Sequence, residues 1–292
     1  MENTPENRPA YTHDLIFSMC IQEESVLSLI NAAFFDDGRK LVAAIKDLTV
    51  QDAFQMLQEG SGGSRLDVTA DMGDGRWINV EIQMSRRKDM LKRSLFSASQ
   101  FLARAKASGV NNYNLLPDIT IINFLDFVIR KNDPGFHQPI ALMYKNGARE
   151  SVGDLLCIHN VEMPKARELE LDKNNPLQRW IYFFDNGYKK PDDPLVREVI
   201  EMDSGIKRFE EEYNSRVNDP EVIRKLLDLE RMRMDRTSQE AERFNEGLEQ
   251  GKREMLISMF QSGMNPSQIK LAAQAAGISS EVYNQVKARY RP

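Results

Sequence analysis

Two short segments alternate strictly between apolar and polar residues around a glycine-containing break, and this pattern constrains the fold more than any other in the chain. In 65–71, Leu66, Val68 and Ala70 face one way while Asp67, Thr69 and Asp71 face the other. In 77–83, Ile78, Val80 and Ile82 oppose Asn79, Glu81 and Gln83. Between them, Met72-Gly73-Asp74-Gly75 is a hairpin signal, because glycine accepts the positive φ of tight turns. A loop of two or four residues would set Asp67 against Val80. An odd loop such as Gly73-Asp74-Gly75 sets Asp67 opposite Glu81 and keeps all six apolar residues on one buried face.

Directly opposed carboxylates sit about 4.5–5.5 Å apart at Cβ and repel, so solvent, a shared proton or a cation must relieve them. Oxygen ligands converging in this way suit Mg²⁺, which is held by one or two carboxylates together with water and substrate phosphates. Gln83, two residues on, shares the face and is placed to orient a water or a phosphate by hydrogen bonds. The spacing leaves two readings open, a solvated hairpin face or a metal site.

The surrounding pattern is that of an α/β layer structure. Apolar residues recur at helical spacing over 12–35, with Thr12 as the expected cap, and again over 89–108, where Met90, Leu91, Leu95, Phe96, Ala98, Phe101, Leu102 and Ala105 form a wide apolar face. Leu48-Thr49-Val50 is read as a first strand inside an ambiguous segment, 40–57. The branched run 119–128 suits a strand buried on both faces, and 139–144 and 155–161 extend the sheet. A helix is expected over 176–186, long charged helices over 194–260, and two short helices after an Asn265 cap with Pro266 at the first helical position. The domain expectation is a core over 1–190, a helical connecting or oligomerisation region over 191–260, and a small tail of helix-turn-helix length over 261–292.

Composition removes several function classes. With Cys20 and Cys157 alone, there is neither a disulfide framework nor a CxxC zinc pattern. His13, His137 and His159 are too scattered in sequence for a histidine metal site. No apolar stretch approaches the roughly 18 residues of a membrane span, and the polar N-terminus lacks the order of a secretion signal, so a cytoplasmic setting is expected. A net charge of −5 argues against coating nucleic acid through a global positive field. It leaves room for a local basic stretch, and Arg86, Arg87, Lys88, Lys92 and Arg93 follow Gln83 directly.

These residues resemble the Rpn family of recombination-promoting nucleases and transposases, within the PD-(D/E)XK nuclease superfamily. The likeness runs through HDLIF (13–17), LSLINAAF (27–34), RLDVTADMGDGRWINVEIQ (65–83), RSLFSASQF (93–101), GVNNYNLLPDITIINFLDF (109–127), LCIHNVEMPK (156–165), LQRWIYFF (177–184) and GLEQGKREM (247–255). It implies a restriction-endonuclease-like α-β-β-β-α-β core, a mixed sheet flanked by helices, with a helical C-terminal region. It also implies Mg²⁺-dependent cleavage of DNA, with Mn²⁺ or Ca²⁺ as alternatives, in recombination, mobile-element biology or defence. By the resemblance, Asp67 is the motif aspartate, Glu81 the motif acid, and Gln83 stands where the superfamily carries lysine. The Ile82 carbonyl would be a further metal ligand, and Glu24 would match an acid on the first helix. Asp14 and Phe17 fit the opening motif, where Ser18 replaces a common lysine. Arg93 matches a recurrent arginine that contacts phosphate or braces the site, and Arg86, Arg87 and Lys88 would be further DNA contacts. A three-carboxylate transposase core needs another acid downstream, and no local signal marks one. The competing reading is a catalytically weak DNA-binding or regulatory protein that keeps the fold. A homodimer or larger oligomer through the C-terminal helices is also expected.

Overall fold

The structure is a computed structural model that describes residues 8–51, 66–86, 88–147 and 154–290, with Asp14, Leu66 and Asp67 described through their backbone alone. Arg87 and the end of the ambiguous segment 40–57, residues 52–57, lie outside the described residues. Contacts divide the chain into two units, 1–226 and 227–292.

The first unit is built on a six-stranded mixed sheet of order β1-β2-β3-β4-β6-β5. Its strands are β1 (Asp47–Val50), β2 (Leu66–Asp71), β3 (Arg76–Gln83), β4 (Asp118–Leu125), β5 (His137–Ala141) and β6 (Leu156–Glu162). β1, β2 and β3 form an antiparallel meander, β3, β4 and β6 run parallel, and β5 closes the far edge antiparallel to β6. Parallel neighbours need a crossover, and helix α3 (Met90–Ala107) supplies the one between β3 and β4.

The face carrying Val68, Ala70, Ile78, Val80 and Ile82 packs against α1 (Asp14–Cys20), α2 (Glu23–Asp36), α5 (Pro176–Asn186) and α7 (Ser204–Arg216). The short helix α4 (Met163–Ala166) follows β6, and α6 (Pro194–Glu201) precedes α7. The single helix expected over 12–35 is broken: the backbone is extended at Ile21 and Gln22, α1 is capped by His13 rather than Thr12, and Ile21 turns into the core. Val199, Ile206, Phe209 and Tyr213 also join this core, so α6 and α7 pack with the first unit instead of connecting it to another. At Gly205 the helices α2 and α7 meet most closely. A Cβ there would lie 2.3 Å from the Ser28 Cβ, which only a glycine avoids.

Tyr11 seals this helical layer. It stacks on Phe183 and donates its hydroxyl to the Glu210 carboxylate, which also accepts from Asn214 Nδ2 at 2.9 Å. Burial pushes the Glu210 carboxyl above its ordinary value, against the lowering effect of its hydrogen bonds. A carboxyl with a raised folded pKa stabilises the native state below its unfolded pKa, and that stabilisation is lost as pH rises through the folded value. Glu210→Gln has no such titration. Its stability should therefore gain on the wild type as pH rises from about 4.5, and urea melts at pH 4 and pH 7 should show the gap opening only at the higher pH.

The second unit holds the rest of α8 (Pro220–Gln261), followed by α9 (Pro266–Ala275) and α10 (Ser280–Tyr290). Leu256, Phe260, Ile269, Ala273, Ile278, Tyr283 and Val286 form its own core. The Asn265 side chain accepts from Ser267 N at 2.8 Å, and Pro266 follows at the first helical position.

Candidate active site

The hairpin has the odd loop. Met72 N donates to Arg76 O across Gly73-Asp74-Gly75, with both glycines in the left-handed region at φ 74° and 94°. Asp71 Oδ1 accepts from Gly73 N at 2.8 Å and Asp74 Oδ1 from Arg76 N at 3.2 Å, so the turn's own acids fix its shape. Asp67 consequently stands opposite Glu81, and Thr69 opposite Asn79.

The register continues as a polar row across the sheet: Glu81 is level with Asn123 on β4, Asn123 with Asn160 on β6, and Asn160 with Gln138 on β5. The row is not a wet face. Glu81 is 2% exposed, Gln83 2%, Asn123 0% and Asn160 3%, and α3 meets the row through Ser97 on Glu81 and Ser94 on Asn123. Helix α3 buries Met90, Ser94, Ser97, Ala98, Phe101 and Ala105, while Leu91, Leu95, Phe96 and Leu102 stay exposed. The wide apolar face expected from sequence is thus split. Beneath the N-terminal half of α3 the sheet is polar and serines meet it; beneath the C-terminal half, Phe101 and Ala98 meet Ile119, Ile121 and Ile158.

Ser97 Oγ donates to Glu81 Oε1 at 3.2 Å, and Asn79 Nδ2 donates to the same oxygen at 3.0 Å. Asn123 Nδ2 donates to Asn160 Oδ1 at 2.9 Å and to Ser94 Oγ at 3.1 Å. Its Oδ1 is enclosed without a hydrogen-bond partner among the described residues, a buried acceptor one strand from Glu81. An all-oxygen set with an orphaned acceptor beside a buried carboxylate fits a hard divalent cation and offers nothing to a soft one.

A cleft of about 380 Å³ opens beside the row, lined by Gln51, Thr69, Asn79, Ser97, Phe101 and Arg104 among others. It reaches Asn79 and Ser97, two donors to Glu81, and presents the exposed Arg104, which also borders a second cleft on β1 and β2. A larger cleft, about 770 Å³, lies past the ends of β3 and β4 around Met84 and Asp126. There the Arg167 guanidinium is held by Asp185 and Asp126, at 2.7 and 2.5 Å. Those acids neutralise the arginine, so volume there does not come with a field that draws phosphate.

The remaining residues singled out from sequence are dispersed. Arg86 and Lys88 are exposed just after β3. Arg93 is half-buried on α3 with its Nε enclosed. Glu24 is exposed at the start of α2, on the layer covering the opposite face of the sheet. Glu162 is fully buried and engaged by the amides of Ile129 and Arg130 and by Lys165, so this acid on β6 serves structure. Sequence reasoning passed over Asn79, Ser97, Asn123 and Arg104. Only Asn79 carried a local signal, its place two residues before Glu81 on the same face.

A mixed sheet with an aspartate-glutamate hairpin and helices on both faces defines an α/β layer protein. The chain belongs to the PD-(D/E)XK nuclease family transposases, whose family model matches residues 10–243. Its function is accordingly nuclease-like or transposase-associated. The GLEQGKREM segment lies beyond the matched residues. Searches of curated proteins and of solved structures gave no match. No described helix is long and apolar enough to cross a membrane.

Proposed function

We propose that the chain is a divalent-metal-dependent DNA endonuclease whose cation, Mg²⁺ or Mn²⁺, is held by Asp67, Glu81 and the main-chain carbonyl of Ile82. The observation that carries this reading is the register of Asp67 against Glu81, joined to a buried Glu81 carboxylate braced by Asn79 and Ser97, which themselves line an open cleft. When bound, such a cation polarises the scissile phosphate and lowers the pKa of a water. Asn79 and Ser97 fix one Glu81 oxygen so that the carboxylate need not reorganise during the reaction. Gln83 orients a water or phosphate oxygen by hydrogen bonds, and Arg104 receives the phosphate from the cleft side.

The experiment is plasmid cleavage by the purified full chain with Mg²⁺, Mn²⁺ or Ca²⁺, run beside Asp67→Ala and Glu81→Ala. Equal nicking by all three proteins would mean contamination and would end the enzyme reading. DNA binding without cleavage in any of the metals would favour the second reading, a DNA-binding regulator. That reading has support in the glutamine at position 83 and in the depth of Glu81.

Arg104 offers a separate check. A single charge-assisted phosphate contact contributes about 1.5 kcal/mol, so Arg104→Ala should weaken DNA binding about tenfold. It should also reduce the salt slope of log K by about one. An unchanged slope in a fluorescence-anisotropy salt titration would remove Arg104 from the interface.

A further inference from the structure

Two of the three histidines that look scattered in sequence meet in space. His137 on β5 and His159 on β6 stack with ring centroids 5.1 Å apart, and His137 Nε2 lies 2.9 Å from His159 Nδ1. At one end of the pair, His137 Nδ1 is 2.7 Å from Asp36 Oδ2, and Asn175 Nδ2 donates to Asp36 Oδ1 at 2.6 Å. At the other end, His159 Nε2 is 3.3 Å from Cys157 Sγ. The Asp37 carboxylate joins them, so that its oxygen, Cys157 Sγ and His159 Nε2 lie within 4.8 Å of one another.

One arrangement of the ring protons leaves a lone pair for a metal. An ionised carboxylate only accepts, so His137 Nδ1 carries the proton shared with Asp36. With both rings neutral, His137 Nε2 is then the acceptor, His159 Nδ1 the donor, and His159 Nε2 a lone pair aimed at Cys157 and Asp37. Metal-bound histidines are held in this way, the second ring nitrogen donating to a partner that is itself anchored.

From this we infer that Cys157 Sγ, His159 Nε2 and Asp37 form a binding site for a zinc-type divalent cation, oriented by the His137–Asp36–Asn175 relay. Tetrahedral zinc with ordinary bond lengths sets sulfur and nitrogen about 3.6 Å apart, close to the 3.3 Å found. The thiolate–imidazole pair selects zinc over magnesium. As the cation enters, the Cys157 thiol releases its proton to solvent and sulfur forms the metal bond.

A second observation points the same way. Helix α2 ends in Asp36 and Asp37 with no basic residue in its last turn, against the helix dipole, which favours positive charge at that end. Arg39 stands near but is already committed, ion-paired to Asp154 at 2.8 Å and lying over the Phe34 ring. Cys157 and His159 are buried, whereas Asp37 is part-exposed. The site is separate from the nuclease row: Cys157 and His159 alternate with Asn160 and so face the other side of the sheet.

The test is a cobalt titration of the metal-stripped full chain in excess Mg²⁺, followed by absorption spectroscopy. One Co²⁺ per chain with a thiolate-to-cobalt charge-transfer band is expected, displaced by one equivalent of Zn²⁺. The band should vanish in Cys157→Ser and persist in Cys20→Ser and Glu81→Gln. Asp37→Asn, at a part-exposed position, should bind Co²⁺ at least ~10-fold more weakly. No band in the wild type, a band surviving in Cys157→Ser, or unchanged affinity in Asp37→Asn overturns the assignment. Should Cys157→Ser not fold, the wild-type band and the Asp37→Asn affinity decide it.

Discussion

Exchanging Glu81 for glutamine should slow Mg²⁺-dependent nicking by about 10³-fold, since a cation's polarising effect is several kcal/mol and each 1.4 kcal/mol is tenfold. The exchange is nearly isosteric. A glutamine Oε1 still accepts from Asn79 Nδ2 and Ser97 Oγ, two donors to the carboxylate. The fold should therefore survive, and the loss belongs to the missing charge. Asp67→Asn should behave alike, because the proposed metal site gives the two paired acids one task. Single-turnover nicking rates report the effect, with DNA affinity and thermal melting as controls. A rate within about threefold of wild type in either variant would remove that residue from the metal site.

The second large effect is on stability. Trp180 is fully buried at the centre of the helical layer, with Phe184, Phe183 and Phe209 ring centroids at 5.3, 5.9 and 6.3 Å. Its indole N–H donates to Ser28 Oγ at 3.0 Å. Trp180→Ala leaves a cavity in this aromatic cluster and should cost about 3–5 kcal/mol, a large share of the roughly 5–15 kcal/mol that holds a domain. Ser28 keeps a partner in Asp203 at 2.6 Å, so little of the cost comes from an orphaned hydroxyl. Trp180→Phe retains most of the ring and should lose roughly half as much or less. Urea denaturation measures both, and equal midpoints for Trp180→Ala and wild type would contradict this account of the core.

The hairpin register was legible in the sequence. Strict alternation on both sides of two glycines leaves one pairing that buries all the apolar residues, and a strand's faces follow from its own backbone. The same holds for α5 and for the Asn265 cap, where the signals lie within a few residues of one another. Burial was not legible. Whether Glu81 faces water depends on α3, and α3 turns Ser94 and Ser97 to the sheet while leaving Leu91, Leu95 and Phe96 outside. Helical periodicity identifies a face but not which sheet surface will meet it. The extension of the core to Phe209 and Tyr213 was hidden in a charged helical stretch for the same reason.

Asp67 and Glu81 were thus set against each other by the sequence itself, through the period of a strand and the length of a loop. Tertiary structure decided that Asn123 and Asn160 continue their row, and that Asp36, Asp37, His137, Cys157 and His159 meet. The segments that carry them stand far apart along the chain, and strand order and crossovers bring them together. Short-range stereochemistry cannot specify that choice, because it depends on which faces the whole chain can bury at once.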